Sequence, residues 1–247
     1  MIIRTTAKLS TLMLVAGGAL AVASVGPVQA GATPRCHGHV ATMVGTDGPD
    51  VMRGTSNRDV IVGLGGADVI RARGGGDIVC GNGGDDTIRA GTGSDRIEGN
   101  QGNDVMWGQK GKDKAWGGKG MDRFSGGHQS DWSTGGKGKD RLAGGEGPDV
   151  LIGASGGDVL WGGEGRDRLW GKSGNDRAYG GLGNDELKGA QGRDRLVGDR
   201  GADRIVGGDG NDHLNGKDDA PNDTLLGRSG ADTCVADPGD TVKSCTS

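Results

Sequence analysis

Gly180-Gly181-Leu182-Gly183-Asn184-Asp185-Glu186-Leu187-Lys188 is one copy of a nine-residue unit that repeats without a miss from Gly45 to Asp212. Nineteen aspartates keep its phase: Asp50, Asp59, Asp68, Asp77, Asp86, Asp95, Asp104, Asp113, Asp122, Asp131, Asp140, Asp149, Asp158, Asp167, Asp176, Asp185, Asp194, Asp203 and Asp212. A glycine stands five residues before each aspartate, except where Ala72 and Ala90 replace it. Another stands two residues before, except at Asn57 and Gln129. Two residues after the aspartate the side chain is usually large and apolar, as in Met52, Ile61, Ile70, Leu151, Leu169 and Leu214. The unit reads G-G-x-G-x-D-x-U-x, with U apolar.

A period this short predicts a solenoid in which each unit is one turn and one short strand, because a lone unit has no partner for its apolar residue. Two units complete one coil, so alternate aspartates fall into two columns, one starting Asp50, Asp68, Asp86 and the other Asp59, Asp77, Asp95. Coils at strand spacing put successive carboxylates roughly 4.8 Å apart. At an effective dielectric near 20 that costs ~3 kcal/mol per ionised pair, so the columns call for cations. Glycines let the turn backbone take positive φ and bring carbonyl oxygens close together. With the aspartate they make a hard, all-oxygen site suited to Ca²⁺ rather than zinc or copper.

The repeat resembles the RTX, or haemolysin-type, calcium-binding nonapeptide. The resemblance implies an all-β protein, a right-handed parallel β-roll, with each Ca²⁺ between two turns of one column and bound by aspartates and turn carbonyls of neighbouring coils. Ten and nine turns leave at most about seventeen such gaps. The family is usually strongly acidic, whereas Arg58, Lys112, Lys139, Arg166 and Arg193 directly precede repeat aspartates here, and basic residues crowd the span from Lys110 to Arg141. Cations repel Ca²⁺. The expected ligands are therefore Asp50 to Asp104 and Asp149 to Asp212 in nine-residue steps, with the middle turns of Asp113, Asp122, Asp131 and Asp140 weakest.

The composition has 56 glycines, one Phe, one Tyr and 32% hydrophobic residues, too lean for an ordinary layered core. Residues 1–30 read as an export signal: Arg4 and Lys8, an apolar run from Leu9 to Val25, and Val28-Gln29-Ala30 as a cleavage site. A membrane anchor is the alternative, disfavoured by the small residues and Pro27. Without Arg4 and Lys8, 27 basic residues face 33 acidic ones, a mild imbalance that gives no reason to expect a nucleic-acid partner. Residues 31–44 form an N-terminal cap, 45–216 the roll, and 217–247 a C-terminal cap. In that last segment the phase slips by two around Asp218, Asp219 and Pro221 before Asp223 and Asp232. Four cysteines in an exported chain suggest disulfides, with proximity favouring Cys36 with Cys80 and Cys234 with Cys245, one pair at each end. Free thiols, or a zinc site with His37 and His39, remain the competing reading.

Trp107, Trp116, Trp161, Trp170 and Tyr179 share one place in the unit, and Trp161 and Tyr179, eighteen apart, should stack. They read as corner packing or as a contact strip for sugars. Trp132 breaks the pattern. Gly153-Ala154-Ser155-Gly156-Gly157 satisfies G-x-S-x-G, but its glycines are those of the repeat and no strand-turn-helix surrounds Ser155. No H-E-x-x-H occurs. The chain is thus expected to be no enzyme but a secreted, extracellular calcium-binding structural or surface component. The alternative is a recognition module for glycans or anionic cell-wall polymers, using the aromatics or the basic middle.

Overall fold

The computed structural model describes residues 33–218 and 222–245; the expected export signal and the Asp219–Pro221 part of the insertion lie outside the described residues. All regular structure among them is strand. After a short hairpin, β1 (Arg35–Cys36) and β2 (His39–Val40), come β3 (Met43–Val44), β4 (Val51–Arg53), β5 (Val60–Gly65) and β6 (Val69–Gly74). From there a strand begins every nine residues up to β21 (Arg204–Asp209) and β22 (His213–Asn215), and β23 (Thr224–Ser229), β24 (Thr233–Val235) and β25 (Thr241–Lys243) close the chain. Odd strands from β3 to β25 form a twelve-stranded sheet and even strands from β4 to β24 an eleven-stranded one. Every pairing in both is parallel.

Register follows the period. Ile61 pairs with Val79, Met106 with Phe124 and Leu160 with Ala178, so residue i meets residue i+18. The U residues of both sheets meet between them in one continuous core, and Ile61, Ile70, Leu142, Leu169 and Leu214 have no exposed surface. Alternation along each strand places the flanking residues outside. The two-residue slip leaves the ladders in phase: Leu214 still pairs with Cys234 and Ile205 with Leu225.

The N-terminal segment caps the solenoid and also covers it sideways. Strand β3 adds to the end of the twelve-stranded sheet beside β5. The hairpin lies on that sheet's outer face, where Cys36 joins outward-facing Val60, Val62, Ile78 and Cys80 in a second small core. The Cys36–Cys80 and Cys234–Cys245 disulfides are both formed, which removes the zinc and free-thiol readings. The first thus clamps the hairpin to the flank, while the second ties β24 to the segment after β25. Further along the same flank His37 packs against Trp116 with ring centroids 5.1 Å apart and planes tilted by 52°, and its Nε2 lies 3.0 Å from Glu98. Trp132 then packs on Trp116 at the same distance, so the ring that breaks the repeat extends this ladder.

Candidate metal centre

The repeat aspartates turn inward. From Asp68 to Asp212 each is at most 3% exposed, and Asp223 is 1% exposed. Burying a carboxylate is costly unless its polar atoms find partners, so the disposition of each atom matters. The backbone N–H of each aspartate donates to Oδ1 of the aspartate one coil later at 2.7 to 2.9 Å, from Asp50 to Asp68 through Asp194 to Asp212. The ladder crosses the insertion, since Asp203 donates to Asp223. The aspartate carbonyl accepts from the residue that follows the next aspartate in its column, as Val69 N–H to Asp50 O at 2.8 Å. Three of the four hydrogen-bonding atoms are thereby used.

The fourth is not. In every turn from Asp68 to Asp212, and in Asp223, the buried Oδ2 has no hydrogen-bond partner. A Cβ placed on Gly144 would lie 2.7 Å from the carbonyl oxygen of Gly162 and closer still to Asp149 Oδ2. Gly108 is placed likewise toward Gly126 O and Asp113 Oδ2. The first glycine of the unit therefore keeps open a cradle where a carboxylate oxygen of one coil and a carbonyl oxygen of the next converge. Backbone freedom is the task of the glycine two residues before the aspartate: Gly93 has φ +131°, and a Cβ there would strike the Gly75 carbonyl. Gln129 fills that place at φ +75°, in the left-handed region that L residues tolerate at a cost.

Without a cation the carboxylates resist ionisation. Burial, only partly offset by the backbone hydrogen bond, pushes Asp131 up to about 8 and Asp86, Asp104, Asp140, Asp194 and Asp203 up to about 7. Repulsion from column neighbours adds to this but is the smaller cause, which reverses the weight that sequence spacing gave it. Among the described residues no three His, Cys, Asp or Glu side chains converge. Carboxylates come singly and the other donors are carbonyls, a set that fits a hard oxygen-seeking cation and not zinc.

The turns are not all alike, and the first of each column stands apart. Asp50 Oδ2 accepts from Thr46 N–H at 2.6 Å and Oγ1 at 2.9 Å, and Asp59 Oδ2 from Thr55 N–H at 2.7 Å and Oγ1 at 3.0 Å. A threonine in the second glycine position thus satisfies the first carboxylate of each column. Asp113, Asp122, Asp131 and Asp140, expected to be weakest, have the same burial, ladder and unpartnered oxygen as the rest. Lys110, Lys112, Lys137 and Lys139 are exposed, and no lysine is among the groups acting on these four carboxylates. A side chain directly before the aspartate leaves the turn outward, which a linear sequence does not convey. Asp223 belongs to the same set; the apolar Leu225 two residues later was its signal.

The aromatics form no continuous strip, because their shared place in the unit alternates between sheets. Trp107 lies under Arg89 at 4.5 Å, and Trp170 beside Lys172 and Lys188 at 5.3 and 5.7 Å. Trp161 and Tyr179 do stack, with centroids 6.3 Å apart and planes 11° from parallel. No helix among the described residues is long and apolar enough to cross a membrane.

Comparison with curated proteins finds no match. The family model described as RTX calcium-binding nonapeptide repeat matches residues 44–79, 81–115, 107–142, 116–151, 134–169, 152–187, 161–196, 188–221 and 222–242. With two parallel sheets in eighteen-residue register and an inward aspartate in every turn, the chain belongs to the RTX calcium-binding nonapeptide-repeat family.

Proposed function

We propose that this chain is a secreted protein whose calcium-filled roll is itself the functional body, an extracellular structural or surface component rather than an enzyme. The observation that carries the reading is the unpartnered Oδ2 in every turn from Asp68 to Asp212, held against carbonyl oxygens of the adjoining coil. Asp68 to Asp212 in nine-residue steps, the four middle aspartates included, and Asp223 would hold the ions. Bound Ca²⁺ would supply the positive charge that these carboxylates lack. Asp50 and Asp59, satisfied by Thr46 and Thr55, are terminal caps in this reading. Two disulfides support an oxidising compartment outside the cytosol.

Calcium is low inside cells and high outside, so a roll that depends on it would fold after export. Circular dichroism of the chain in excess chelator and in millimolar Ca²⁺ tests the proposal. β structure should appear only with Ca²⁺. An identical folded spectrum in chelator at neutral pH would remove the basis of the reading.

A further inference from the structure

The near-balanced net charge conceals a strong segregation. Of 33 acidic residues, 20 aspartates are buried in the turns, so at most 13 acidic residues remain to face the 27 basic ones that follow residue 30. The surface of the roll is cationic, and its cations are ordered by the strand register.

On the eleven-stranded sheet the first outward position of successive strands reads Arg123, Arg141, Val159, Arg177, Arg195 and His213, each the register partner of the next. The four arginines are exposed. Strand spacing sets neighbours about 4.8 Å apart. Like charges directly opposite one another destabilise a sheet, so the fold does not require this array. The turns leading into it add exposed Lys119, Lys137, Lys139 and Arg193. Among the described residues none of these arginines forms a salt bridge. The next outward column, Ser125, Ala143, Trp161, Tyr179 and Val197, holds no carboxylate. At one end a groove of about 590 Å³ opens among Arg177, Arg193, Arg195 and His213, with the buried turn carboxylates Asp176, Asp194 and Asp212 also in its lining. Glu146 and Glu164 stand at the far ends of β14 and β16, away from this row, whereas on the twelve-stranded sheet Glu98 and Glu186 sit in the two outward columns themselves and Glu186 contacts both Lys188 and Arg168.

We propose that this edge, from Lys119 and Arg123 to Arg195, binds a linear phosphodiester chain laid along the roll axis. Guanidinium groups donate paired hydrogen bonds to phosphate oxygens, and a straight row of them matches a line of phosphates. A flexible phosphodiester chain can turn successive phosphates to the same side. A stiff polymer of carboxylated rings rotates its charges away from a flat surface, and a duplex presents its phosphates on a curved one. The surface depends on strand register and not on which cation fills the turns.

The test uses the chain in millimolar Ca²⁺ with a fluorescein-labelled oligo(glycerol phosphate), read by fluorescence anisotropy across a salt series. Removing two contacts in R177Q/R195Q should weaken binding about tenfold and reduce the log–log salt slope by about 1.4. R96Q/R204Q, which removes equal charge from the twelve-stranded sheet, should bind like the parent. Circular dichroism of each variant in Ca²⁺ verifies the roll, so that failure to fold is seen separately from failure to bind. Equal losses in both variants would reduce the effect to net charge and overturn the proposal. So would absence of binding by the folded parent, or tighter binding of an oligouronate or duplex DNA of matched charge.

Discussion

Removing calcium at neutral pH and then lowering the pH should fold the chain again. In the metal-free roll burial raises the aspartates from the usual 3.8 to about 6 in Asp95, Asp149, Asp158, Asp167 and Asp185 and to about 8 in Asp131. A shift from 3.8 to about 6 corresponds to about 3 kcal/mol per carboxylate once it is ionised. The folded state binds protons more tightly than the unfolded one, so stability is full below pH 3.8 and is lost as pH rises through 6 to 8. With more than a dozen such groups the penalty at pH 7.5 exceeds the 5 to 15 kcal/mol by which domains are ordinarily stable. Circular dichroism in excess chelator should therefore report a disordered chain at pH 7.5 and β structure near pH ~3.5, below the unfolded-state pKa, while in millimolar Ca²⁺ the roll persists at both. A chelated chain equally folded at both values, or one that gains no β structure on acidification, would refute the desolvation argument.

Three further outcomes follow from particular turns and ends. Asp131→Asn and Asp185→Asn should raise the Ca²⁺ midpoint of folding by similar factors, because both turns have the same ladder and unpartnered oxygen; a titration in which only Asp185→Asn has an effect would restore the lysines of the middle as a weakening influence. Ala72→Gly and Ala90→Gly remove a Cβ from the place that glycine keeps open elsewhere, and should lower the midpoint for the turns of Asp77 and Asp95, whereas Gly144→Ala should cost about 1 to 3 kcal/mol by crowding Asp149 and the Gly162 carbonyl. Replacing Cys36 and Cys80 with serine opens a loop of 44 residues, which on chain-entropy grounds removes about 4 kcal/mol. Non-reducing peptide mapping of the parent should recover Cys36 linked to Cys80 and Cys234 to Cys245.

The sequence by itself determined the period, and with it the coil of eighteen residues, the two parallel sheets, the inward U residues and the columns of aspartate. These follow because a strict repeat leaves each unit only one kind of neighbour, its own copy in the next coil. It also located the two-residue slip after Asp212, since phase is a one-dimensional property. The tertiary structure decided what depends on direction and on atoms far apart in the chain. Only coordinates show that one carboxylate oxygen is taken by the next coil's backbone and the other left without a partner. They also show that Thr46 and Thr55 complete the first turn of each column, and that the lysines before Asp113 and Asp140 leave the turn outward. The flank covered by the Cys36 hairpin was hidden because Val60, Val62 and Ile78 sit at positions that the repeat leaves free. The same holds for the arginine row: Arg123, Arg141, Arg177 and Arg195 are separated by whole coils in sequence, and a net charge sums the buried aspartates with the exposed arginines that the fold keeps apart.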